Sequence, residues 1–132
     1  MTNSGKYTLR FFFEWGGGCL WAGNAAASSD YGYGPLDTVD TKLPLSAETV
    51  RQCQELSAWY DTSLNQAYPP DPSPWRQSEC DRFNEAVKRL LATARAELGD
   101  QFEIVNQQPE AVEDPDLDAY LADPKRFRRR TK

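Results

Sequence analysis

The 132 residues are 39% apolar and 27% charged, enough for one folded core of ordinary size. All 20 acidic residues but only nine of the 15 basic ones lie in residues 1–124, which therefore carry a net charge of −11. So acidic a body is a poor nucleic-acid ligand and a good target for a basic partner. There is no histidine, which excludes Ser-His-Asp and Cys-His catalysis and removes the commonest metal ligand.

No run of about 18 apolar residues is present to cross a membrane. The opening residues lack the apolar core of a signal peptide. The expected location is cytoplasmic. Cys19, Cys53 and Cys80 are odd in number, far apart and without a CxxC pair, so neither a disulfide framework nor a zinc pattern emerges. The expected organisation is one α+β domain over 1–110, then a tail over 111–132, acidic and then basic, in which part of the chain lacks order.

In chain order, Tyr7 to Trp15 (YTLRFFFEW) reads as a strand. Tyr7, Leu9, Phe11, Phe13 and Trp15 share its apolar face, which should meet the core; Thr8, Arg10, Phe12 and Glu14 share the other. Gly16-Gly17-Gly18 is a hairpin connection to a second strand over 19–23. Residues 24–45 read as a loop, long enough to be functional or to hide a short element. Ser46 is the N-cap of an amphipathic helix whose stripe is Val50, Cys53, Ser57, Tyr60, Leu64 and Ala67. The prolines from Pro69 to Pro74 end it. A second helix, starting after Pro74 or Ser78, buries Cys80, Phe83, Val87, Leu90, Ala94 and Leu98, and stops at Gly99. Residues 101–106 are a third strand, and Pro115 to Leu121 can make a helical turn. The order β-β-α-α-β predicts a small antiparallel sheet of about three strands backed by two helices. The first and third strands are candidates to be neighbours, with two edges left for the fold to protect.

The glycine run fails as a phosphate loop. Counting from Gly18, Gly23 is correctly placed, but Asn24 and Ala25 stand where lysine and a hydroxyl are needed. A GxGxxG match fails at Trp21. Asp114, Asp116 and Asp118 begin like a calcium loop, but Ala119 replaces its glycine and Lys125 its closing glutamate. No cofactor or metal motif survives, and no catalytic residue is assigned. Glu14, Asp61 and Glu103 are loose candidates for carboxylate chemistry, unpaired by any spacing. Cys53 and Cys80 sit on apolar helix faces, as small core residues do.

Aromatic residues beside acids offer a different chemistry. Trp59 flanks the buried stripe next to Asp61; it either widens that stripe or anchors a partner. Trp75 in the proline turn, and Tyr31 and Tyr33 in the long loop, pose the same alternative. Trp59, Asp61, Tyr31, Tyr33 and Trp75 are thus the candidate partner-binding residues. Residues 125–132 hold six of the 15 basic residues, with Phe127 among them. They offer weak binding to nucleic acid or an anionic membrane, an arm that folds back on the acidic body, or a terminal solubility segment.

The blocks LRFFFEWGGGCLWAGN (9–24), LPLSAETV (43–50), WYDTSLN (59–65), YPPDPSPW (68–75), RFNEAVKRLL (82–91) and FEIVNQ (102–107) resemble a group of small bacterial proteins. That group is similar to the immunity proteins of polymorphic and contact-dependent toxin systems. The resemblance spans roughly residues 7–107 and transfers no catalytic residue. It implies a cytoplasmic bacterial binding protein that neutralises a cognate toxin, for which a basic nuclease would supply complementary charge. The alternative is a small-molecule binder, or a small carboxylate enzyme with a pocket lined by Glu14, Tyr60 or Asp61.

Overall fold

The computed structural model describes residues 5–129. Its elements are β1 (Tyr7–Phe11), β2 (Leu20–Ala22), α1 (Ala25–Tyr31), α2 (Ala47–Asp61), α3 (Gln77–Leu98), β3 (Phe102–Asn106) and α4 (Leu117–Ala122). The α+β class and the three-stranded sheet are as expected, and β1 is the central strand in the order β2-β1-β3.

The all-antiparallel expectation is corrected. β2 is antiparallel to β1, but β3 is parallel to it, with Tyr7 opposite Phe102 and Phe11 opposite Asn106. The reason lies in the connection. Two helices intervene, and the turn at Gly99, whose φ is +78°, drops the chain at the end of the sheet where β1 begins. The Tyr7 amide then donates to the Gln101 carbonyl at 2.9 Å, and β3 must run alongside β1.

The strand expected over 7–15 is formed only as Tyr7–Phe11, and its period-2 reading holds as far as Phe13. Leu9, Phe11 and Phe13 are buried, whereas Trp15 is 52% exposed. The alternation breaks at Trp15 because the hairpin closes there. Phe12 N–H donates to the Cys19 carbonyl and Gly17 N–H to the Glu14 carbonyl. On the opposite face Phe12 stacks on Trp21, with the Arg10 guanidinium 4.9 Å from the Phe12 ring centroid.

The segment read as a loop over 24–45 contains a helix. The Asn24 side chain accepts from Ala27 N–H at 2.9 Å, and three alanines follow it, so α1 starts where a cap meets strong helix formers. α2 begins at the expected Ser46 cap but ends at Asp61, short of the prolines. Thr62 and Ser63 hydroxyls donate to the Trp59 and Tyr60 carbonyls at 2.7 and 2.6 Å, competing with helix continuation. Asn65 then organises the proline turn. Its oxygen accepts from the Ala67 and Tyr68 amides, and its amide donates to the Pro72 carbonyl.

α3 buries its predicted stripe plus Leu91 against Leu9, Phe11 and Ile104 of the sheet. Glu97 near its end ties it to the start of α2, accepting from Ser46 N–H and from the Ser46 and Thr49 hydroxyls at 2.8–3.0 Å. Residues 111–129 run back over the other end. Asn84 exchanges two hydrogen bonds with the Ala111 backbone, Glu113 accepts from Gln77 N–H, and Leu117 is buried. Glu113 therefore supplies the cap that Arg76 at the N-cap position cannot. The acids that imitate a calcium loop hold an arginine instead: Arg129 pairs with Asp114 at 2.7 Å and Asp116 at 2.9 Å.

Candidate functional site

The glycine turn and the end of α2 meet at the surface. Gly16, at φ +77°, turns its amide onto Asp61 Oδ1, the last residue of α2, at 2.9 Å. The Trp15 indole N–H donates to Ser63 Oγ at 3.1 Å, and its ring stacks on Tyr60 with centroids 5.4 Å apart. Tyr60 stacks in turn on Phe13, which packs on Phe83. An aromatic column thus runs from the core to an exposed tryptophan, which is held in place and able to meet a partner with little further loss of side-chain freedom. Burial pushes the Tyr60 phenol above its ordinary pKa, opposed by a hydrogen bond with Gln108.

Beside this column lies an open cleft of about 400 Å³, between Gly16–Gly18 and Pro35 on one wall and Gln54, Ser57 and Asp61 of α2 on the other. A second cleft of about 380 Å³ continues past Gln54 to Val50 and the exposed Val39. Both clefts open along α2, where it faces the glycine turn and the loop after α1.

The floor of the first cleft is Asp37, only 4% exposed. Its carboxylate accepts from the Cys19 amide at 3.1 Å and the Leu20 amide at 3.2 Å, and from the Cys19 thiol at 3.5 Å. Gly18 makes that burial possible, since a Cβ there would lie 2.5 Å from Asp37 Oδ1. The third glycine of the run is therefore a close-packing residue, and the first makes the turn.

The five expected contact residues divide between surface and support. Tyr33 is 85% exposed, and Asp61 is half-buried against the glycine turn. Trp59 is half-buried edge-on to Phe83, with its N–H donated to Glu79 at 2.8 Å. Trp75 is 3% exposed, sits 5.9 Å from Trp59 and donates to Thr62 Oγ1 at 2.9 Å. Tyr31 joins a different cluster with Tyr7 and Phe102. So the fold brings Trp59 and Trp75 together over Phe83 and places Tyr31 in a separate group. The carboxylates weighed for catalysis stand on different elements: Glu14 exposed in the hairpin, Asp61 on α2, Glu103 exposed on β3.

Two features escaped sequence reasoning. Alternation alone puts Trp15 in the core, because it cannot show where a strand stops. Cys19, Asp37 and Cys53, by contrast, converge with their ligand atoms all within 4.8 Å of one another, although no spacing relates them. Of the basic segment, Arg126 faces Asp123, Arg129 faces Asp114 and Asp116, and Phe127 meets Tyr120 edge-on at 5.5 Å. This is the folded-back alternative; residues 130–132 lie outside the described part. No helix among the described residues is long and apolar enough to cross a membrane.

A shallow double cleft with the exposed Val39 in its wall, on an acidic α+β body that also exposes Trp15 and Tyr33, has the form of a surface for contacts with another protein. The chain belongs to the Serratia CdiI immunity protein-like family, whose model matches residues 8–108. That match takes in nearly all of β1 and everything through β3, and leaves α4 outside. No curated protein matches the chain.

Proposed function

We propose that this protein is a cytoplasmic immunity protein that binds a cognate bacterial toxin directly and holds it inactive. Membership of the immunity-protein-like family over residues 8–108 carries this reading. The net charge of −11 over residues 1–124 favours a basic toxin, of which a nuclease is the leading class, and long-range attraction would speed its capture. Trp15, Tyr33 and Asp61 are the surface contacts in this proposal, while Trp59, Trp75 and Tyr31 hold α2 and α1 in place beneath them.

The test is co-expression with the toxin domain of the same system, together with titration calorimetry of the purified pair. The expected result is rescue of growth and a one-to-one complex whose affinity falls as salt rises. Asp61→Ala combined with Trp15→Ala should weaken the complex at least about tenfold while circular dichroism stays unchanged. Full toxicity in the presence of folded protein would refute the proposal. Rescue with unchanged affinity in the double variant would remove the α2 end from the interface.

A further inference from the structure

We propose that Cys19, Asp37 and Cys53 form a binding site for a thiophilic divalent cation, of which Zn²⁺ is the natural candidate. Two thiols and one carboxylate suit that ion, and all three groups are buried. The spacing fits as well. Tetrahedral zinc, with Zn–S about 2.3 Å and Zn–O about 2.1 Å, sets ligand sulfur and oxygen about 3.6 Å apart. Cys19 Sγ and Asp37 Oδ2 stand at 3.5 Å. Asp37 is oriented independently of any ion by the Cys19 and Leu20 amides, as metal-binding carboxylates are.

A second observation comes from α2. Ser57, one turn beyond Cys53, has a buried hydroxyl with no hydrogen-bond partner among the described residues. Such an orphan costs stability unless something completes it. Ser57 and Asp37 also line the same open cleft, which supplies an entry path and room for a water as fourth ligand. The ion would pin the start of β2, the loop after α1 and the middle of α2 to one point, whether or not a protein partner is bound.

The test uses full-length protein, reduced, stripped by chelator and exchanged into metal-free buffer. Titration with Co²⁺ should give one equivalent of a tetrahedral visible spectrum with a thiolate charge-transfer band, displaced by one equivalent of Zn²⁺. Cys53→Ala should abolish it, Asp37→Asn should weaken it about tenfold or more, and Cys80→Ala should leave it unchanged. A readout on the unmutated chain guards against variants that fail to fold. Zn²⁺ should slow alkylation of Cys19 and Cys53 about tenfold or more and leave Cys80 unaffected. No thiolate band in the wild-type protein, a band that survives Cys53→Ala, or equal protection of all three cysteines would overturn the proposal.

Discussion

Gly18→Ala tests the reading of the glycine run most directly. The added Cβ would lie 2.5 Å from Asp37 Oδ1, 2.7 Å from Pro35 Cβ and 2.9 Å from Asp37 Oδ2, all closer than real contacts allow. The carboxylate cannot retreat freely, because the Cys19 and Leu20 amides hold it at 3.1 and 3.2 Å. Overpacking costs roughly 1–3 kcal/mol. A buried carboxylate pulled off its donors costs roughly 1.5–3 kcal/mol more. About 2.5–6 kcal/mol is thus expected, a large share of the roughly 5–15 kcal/mol that holds a domain together. At about 4 °C per kcal/mol, the melting temperature should fall by about 10–24 °C. The neighbours calibrate the result. At Gly16 a Cβ meets open space but the φ of +77° remains, so Gly16→Ala should cost roughly 1–2 kcal/mol. At Gly17 the nearest atom is Glu14 Cβ at 3.3 Å, and Gly17→Ala should stay within about 0.5 kcal/mol. Urea unfolding followed by circular dichroism measures all three. A Gly18→Ala protein as stable as Gly17→Ala would refute the buried-carboxylate account of this turn.

Trp75→Ala should destabilise by about 3–5 kcal/mol in the same unfolding assay, since it empties a core position packed on Phe83 and Trp59; a loss under 1 kcal/mol would contradict its burial. Glu97→Gln should cost about 1 kcal/mol by loosening the Ser46 and Thr49 bonds that join α3 to α2. The same carboxyl predicts a pH effect. The Ser46 amide, with the Thr49 and Ser46 hydroxyls, holds it below the usual carboxylate range against the opposing effect of burial. Folded Glu97 therefore binds its proton less readily than unfolded Glu97. Its contribution is complete above the ordinary carboxyl pKa and disappears as pH falls through the lower folded value. Urea midpoints should drop on acidification from neutrality more steeply in wild type than in Glu97→Gln; parallel curves would count against it. Trp15→Ala should leave stability within about 1 kcal/mol, given its exposure, while lowering toxin affinity at least about tenfold in calorimetry. Unchanged affinity would take the aromatic column out of the interface.

Periodicity carried much of the fold. The 3.6-residue stripe from Cys80 to Leu98 names nearly all of what α3 buries, and Ser46 caps α2 as its side chain predicts. Alternation identified Leu9, Phe11 and Phe13 as core. These signals are local: a cap, a helical face or a strand face is written within a few residues of itself. α1 went unseen because seven residues between a loop and a glycine leave too little pattern for a stripe. The direction of β3 was hidden as well, since strand composition is nearly the same for either sense of pairing and only the route through α2 and α3 decides it.

The candidate site follows the same division. From its sequence alone, this protein is determined to be an acidic α+β chain without histidine chemistry or a phosphate loop, rich in aromatics fit for contacts. Only the tertiary structure decided which aromatics reach solvent. Burial depends on neighbours distant in the chain: Trp75 lies under Trp59, while Trp15 lies beyond the last paired residue of the sheet. Only it, too, brought Cys19, Asp37 and Cys53 to one point, because a hairpin, a loop and a helix share no period and meet only when the core closes around them.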